Sequence, residues 1–159
     1  MKRQALAVMV MVIALLITAL TTAARSTDPF QGTWKLNAAE SKFAPNQRIR
    51  SQIITNEVRR DVIKQVSDTV NANGTAMHVE FTGKHDGKDY AIRGLPIADV
   101  ISSTRIAGDA YVFVFKKGGE ETASMRIFFF NLGKTMNITQ RIKNVNGKDA
   151  INIMVLDKQ

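Results

Sequence analysis

From Asp28 onward the hydrophobic positions of the chain alternate with polar ones instead of recurring every three or four residues. Met77, Val79 and Phe81 are separated by His78 and Glu80 and followed by Thr82. Ala123, Met125, Ile127 and Phe129 interleave with Thr122, Ser124 and Arg126. Met136, Ile138 and Ile142 do the same with Asn137, Thr139, Arg141 and Lys143. A period of two marks a strand with one dry and one wet face. Runs of this kind, cut by Gly and Asn turns, predict strands at 32–37, 48–57, 60–71, 75–82, 88–93, 99–107, 110–117, 120–130, 135–143 and 148–157. Asn73-Gly74 and Asn146-Gly147 suit tight hairpins, because both residues of each pair tolerate positive φ. Asp86-Gly87, Gly108-Asp109, Gly118-Gly119 and Gly133-Lys134 are weaker versions of the same signal. One segment, Asn37 to Phe43, has helical character, with Asn37 as N-cap and Pro45 past the end, and predicts a single short helix near residues 38–43.

Connections this short leave no room for parallel crossovers, so sequence neighbours pair antiparallel. A long open meander with one dry face would expose unpaired edges; closure removes them. The expected fold is all-β, an antiparallel up-and-down barrel of about eight to ten strands. Two runs depart from alternation. Tyr111 to Phe115 and Phe128 to Phe130 are apolar on both faces. Cover by a helix or by the N-terminal segment is the expectation for them, and an exposed aromatic patch for a partner or membrane surface is the alternative.

The first residues follow a different rule. Lys2 and Arg3 precede Ala5 to Leu20, where Thr18 alone interrupts the apolar run, and the small residues Thr21 to Ala24 come next. That is the layout of a secretory signal peptide with cleavage after Ala23 or Ala24. It divides the chain into a signal at 1–24 and one domain at 25–159, and leaves no transmembrane segment after cleavage. The expected location is secreted or periplasmic, with anchoring in the inner membrane as the alternative if the signal is retained. Cleavage also lowers the formal net charge from +8 to +6, since two basic residues leave and all 14 acidic ones stay. A balance of that sign suits an anionic envelope surface. The basic residues are scattered without interleaved aromatics, which argues against nucleic acid. The chain has no cysteine, which rules out disulfides, thiolate metal sites and a Cys nucleophile.

Asp28-Pro29-Phe30-Gln31-Gly32-Thr33-Trp34-Lys35-Leu36-Asn37, followed by Ser41-Lys42-Phe43, resembles the opening of lipocalin-like barrels. In that calycin group a Gly-x-Trp begins the first strand and the Trp closes one barrel end. Gly32-Thr33-Trp34 matches it. Lys84 to Tyr90, Gly94 to Asp99 and the ending Val155 to Gln159 extend the similarity to a family of secreted bacterial lipocalin-like proteins of unassigned activity. The resemblance implies the barrel and leaves function open. Phe30 to Leu36 also resembles the start of intracellular fatty-acid-binding proteins, which often hold a carboxylate with Arg-x-Tyr on the last strand. Here the matching positions are Met154-Val155-Leu156, so that mode does not carry over.

Candidate chemistry is sparse. No nucleophile elbow, phosphate loop or carboxylate pair is present, so no catalytic residue, cofactor or enzymatic role is assigned. Asp86, Asp89 and Asp99 lack the spacing of a calcium loop, and His78 and His85 read as a surface and a turn histidine, so no metal is expected. Trp34 is expected to plug the barrel with a basic side chain on its ring. Gln140 falls on the apolar phase between Ile138 and Ile142, so its amide needs a partner on a neighbouring strand or a ligand. Tyr90 and Tyr111 are candidates for a second hydroxyl. The leading expectation is a small apolar or amphipathic ligand inside the barrel, lined by Trp34, Met77, Val79, Phe81, Met125, Phe129, Met136 and Gln140. The alternative is a non-enzymatic envelope protein that contacts anionic surfaces or a protein partner.

Overall fold

A computed structural model describes residues 28–144 and 148–159. The signal at 1–24 and the Asn146-Gly147 turn lie outside these residues. Ten strands follow one another: β1 (Gly32–Leu36), β2 (Ile49–Arg59), β3 (Val62–Asn71), β4 (Ala76–Gly83), β5 (Asp86–Arg93), β6 (Val100–Ala107), β7 (Ala110–Lys117), β8 (Glu120–Phe130), β9 (Thr135–Ile142) and β10 (Ala150–Lys158). Each pairs antiparallel with its sequence neighbour, and β1 pairs with β10 to close the barrel. The closing register is Trp34↔Lys158, Lys35↔Asp157 and Leu36↔Leu156. The up-and-down barrel expected from alternation is therefore present. Inward positions such as Val79, Phe81, Ala123, Ile127, Phe129, Met136, Ile138, Met154 and Leu156 form one buried core. That burial on one face is what holds the register, because a one-residue slip would turn every such side chain outward.

Two seams are short. The β1–β10 pairing has three register pairs, and β4–β5 has only Glu80↔Arg93 and Phe81↔Ile92. The β4–β5 ladder is confined to the end of the hairpin away from the Lys84-His85 turn.

The helix expected near residues 38–43 does not form. Residues 38–40 make a turn in which Asn37 Oδ1 accepts from the Glu40 N–H at 3.3 Å. Ser41 Oγ then donates to the Asn37 carbonyl at 2.7 Å and accepts from the Val155 N–H at 3.0 Å. Lys42 and Ile153 exchange two backbone hydrogen bonds of 2.7 Å. Pairing beside β10 outcompetes a helix of one or two turns, whose nucleation is unfavourable.

Asp86-Gly87 also differs from its expected place in a turn. Gly87, at φ +77°, sits inside β5 at a register irregularity between Asp86 and Asp89, and the chain reverses earlier, at Lys84-His85. The two doubly apolar runs receive no helical cover among the described residues, and residues 28–31 turn into the barrel end instead. Tyr111, Phe113, Phe115 and Phe129 point inward, while Val112 and Val114 are half-buried and Phe128 and Phe130 are exposed.

Candidate functional site

The barrel has two unlike halves. One end is sealed by the chain before β1. Phe30 is held by a turn in which its N–H donates to Asp28 Oδ1 at 2.9 Å and the Gln31 N–H donates to the Asp28 carbonyl at 3.0 Å. Its ring enters the barrel and meets Tyr111 and Phe129 edge-on, at 4.7 and 4.8 Å between centroids. Such T-shaped contacts favour the aromatic quadrupoles. His85 lies 4.9 Å away on another side. Trp34, fully buried, donates from Nε1 to the Phe30 carbonyl at 3.0 Å, and Asn56 Nδ2 donates to the same oxygen at 3.1 Å. Lys158 Nζ stands 5.0 Å from the Trp34 ring centroid, supplying the basic side chain expected there.

Two histidines flank the structure with opposite electrostatics. Burial pushes the His85 imidazole below its ordinary value, with Asp28 opposing and Arg105 adding to the shift. His85 Nδ1 contacts the Ser103 hydroxyl, and its Nε2 is buried without a partner. His85 is only partly buried, and its ring packs against Phe30, Tyr111 and Phe113. His78, on the outer face, pairs with Asp68 at 2.6 Å, which raises its pKa. No group of three or more His, Asp or Glu side chains placed to hold a metal occurs among the described residues.

The other half contains a cavity of about 110 Å³. Its floor is Phe30, Phe113 and Met136, and its mouth is bounded by Leu95 and Ile97 of the 94–99 loop. Ligand pockets commonly occupy about 300 Å³ or more, so this cavity suits a small molecule and not a long acyl chain. Its walls differ. On the side of β5 to β8 stand Ile92, Ile101, Phe115, Met125 and Ile127, and on β2 and β3 stand Gln52, Gln65, Ser67 and Thr69. Gln52 Nε2 donates to Ser67 Oγ at 3.2 Å and to Thr69 Oγ1 at 3.1 Å, and its Oε1 is sealed from solvent without a partner. Across the barrel, Gln140 Oε1 accepts from Asn152 Nδ2 at 2.9 Å, and Asn152 Oδ1 accepts from the Ala44 N–H at 2.9 Å. The amide of Gln140 thus finds the strand partner its position demanded, and that partner is itself tied to the 37–48 connection.

Of the residues expected to line a ligand site, Met77, Val79, Met125, Met136 and Gln140 surround the cavity. Trp34, Phe81 and Phe129 do not line it. Trp34 and Phe129 belong to the plug, and Phe81 packs against Phe113. Tyr111 also lies in the plug, and Tyr90 donates its hydroxyl to Asp86 Oδ2 at 2.9 Å outside the cavity. Sequence reasoning missed Phe30 and the polar wall. The signal for the wall was available in Gln52, Gln65, Ser67 and Thr69, which share one strand phase within two adjacent predicted strands.

The chain matches no protein-family model and no curated protein. Fold and site geometry are therefore the grounds for assigning a role.

Proposed function

We propose that the protein is a secreted, lipocalin-like barrel that binds a small apolar or amphipathic molecule without transforming it. The observation that carries this reading is the cavity between the plug and the 94–99 loop, largely apolar with neutral polar groups concentrated on β2 and β3. A closed barrel needs no such void for stability, since unfilled core volume forfeits packing. The Gly32-Thr33-Trp34 opening, with Trp34 at the sealed end, agrees with the lipocalin-like resemblance, and the apolar leader at 5–20 agrees with secretion. Native mass spectrometry of protein purified from its own host tests the proposal. A co-purifying small molecule, or saturable binding of a small apolar probe such as isopentane, is the expected result. Protein that arrives empty and binds no such probe overturns it.

A second reading is supported by a different surface. Phe128 and Phe130 are 39% and 49% exposed, and Leu132 in the β8–β9 connection is fully exposed at φ +56°. A non-glycine residue in that region is strained, yet here it presents an apolar tip between Arg126 and Lys134. An apolar tip beside cations suits an anionic bilayer surface. Pelleting with anionic vesicles that weakens in salt and in Leu132→Ser supports that role; equal pelleting with neutral vesicles counts against it.

A further inference from the structure

We propose that the cavity selects a neutral, short branched molecule smaller than benzene that carries a hydroxyl, held at the β2–β3 wall by the Gln52 amide. The inference rests on the binding role above and adds the chemistry of the ligand to it.

Three observations converge. The residues that line the cavity include none with an ionisable side chain. A carboxylate or ammonium group brought inside would lose its hydration and meet no countercharge, so charged molecules are excluded. The lining is not uniformly apolar either: four of its neutral polar groups, Gln52, Gln65, Ser67 and Thr69, lie on β2 and β3 beside Ile54, and a fifth, Gln140, lies across the barrel next to Met125 with its Oε1 already bonded to Asn152. A ligand that fits both walls has an apolar body and one polar edge. The third observation is Gln52. Its amide nitrogen is occupied by the Ser67 and Thr69 hydroxyls, and its carbonyl, sealed from water, accepts nothing. An unmade hydrogen bond at a buried acceptor favours any partner that brings a donor. The terminal torsion of a glutamine is soft, so a small turn of the amide presents the carbonyl to the cavity. A hydroxyl both donates and accepts, and therefore satisfies this amide in either orientation. Size sets the remaining term. A cavity of about 150 Å³ holds benzene, so 110 Å³ limits the ligand to a short branched chain smaller than that ring.

The test is the binding of three small probes of one shape, isobutanol, isopentane and isobutyrate, to the full-length protein at pH 7, read from the rise in melting temperature with probe concentration. Isobutanol is expected to bind about tenfold more tightly than isopentane, the worth of one well-made hydrogen bond. Isobutyrate is expected not to bind. Gln52→Leu should remove the advantage of the alcohol and leave isopentane unchanged or tighter. The probe series on unaltered protein stands even if that variant misfolds. Equal binding of alcohol and hydrocarbon, or tightest binding of the carboxylate, overturns the hydroxyl inference and leaves the binding role intact. An alcohol preference that survives in a folded Gln52→Leu overturns the role of Gln52. Failure of all three probes to bind overturns both.

Discussion

Gly94 leaves β5 at φ +78°, and a Cβ placed there would lie 1.8 Å from the carbonyl oxygen of His78 and 3.0 Å from its carbon. Gly74, in the β3–β4 connection, has a similar φ of +86° with nothing within 4 Å of the same added atom. The pair separates two costs of an alanine. Left-handed backbone alone costs about 1–2 kcal/mol, and Gly74→Ala incurs no more than that. Gly94→Ala adds a clash with backbone, which no side-chain rotation relieves. The 94–99 loop must then move off β4, and the seam beside it is held by only two register pairs, Glu80↔Arg93 and Phe81↔Ile92. Losing about two net hydrogen bonds there adds about 2 kcal/mol, for a total of about 3–4 kcal/mol. Urea unfolding, followed by Trp34 fluorescence and far-UV circular dichroism, measures both variants on the unaltered m-value. Because Leu95 and Ile97 bound the cavity mouth, Gly94→Ala should also weaken binding of a small apolar probe, whereas Gly74→Ala should not. Two variants within about 0.5 kcal/mol of each other would refute the close approach, since strain alone is common to both.

The sealed end gives its own expectations. Trp34→Ala should cost about 3–5 kcal/mol in chemical unfolding, and Trp34→Phe clearly less, because the ring stays buried and the Phe30 carbonyl keeps its bond from Asn56. Arg60 turns the β2–β3 hairpin at φ +59° with its side chain exposed, so Arg60→Gly should raise stability by about 1 kcal/mol, read as a higher melting temperature. His85 titrates below its ordinary value of 6.5 in the folded state, so the unfolded chain binds more protons as pH falls through that value. Stability should therefore decline below about pH 6.5, and His85→Gln should flatten that decline in urea midpoints taken between pH 7.5 and 5. His78 works in the opposite sense: its raised pKa adds stability below its unfolded value, lost as pH rises through the folded one. His78→Gln should consequently steepen the acid-side loss.

Strand order and the dry face were legible because alternation survives in most of the barrel. The predicted runs at 110–117 and 120–130 coincide with β7 and β8, and the other strands differ by a residue or two at their ends. In β2 and β3 the rule holds only in part, for Ile54 and Ile63. Ile53 is exposed, whereas Asn56, Ser67 and Thr69 are buried and Gln52 lines the cavity, so a reading of inside from apolar character passes over that wall. The 38–43 segment was misread for another reason: its helical signals are local, and its pairing partner, Ile153, lies more than a hundred residues away. Phe30 was hidden in a turn with no periodicity to expose it. Trp34 and Phe129 were read correctly as inward, but no pattern in one strand tells which end of a barrel is filled.

The central claim is that the loop-end cavity, and not the barrel surface, holds the ligand. Ala123 is 1% exposed and lines that cavity, so Ala123→Phe fills it from the wall while leaving the plug untouched. Titration of a small apolar probe, isobutanol, into unaltered protein and into Ala123→Phe, with both shown to be folded by circular dichroism, is the direct measurement. Saturable one-to-one binding that disappears in the filled variant is the predicted result. Absence of saturable binding in the unaltered protein, or the same affinity in both, contradicts the account.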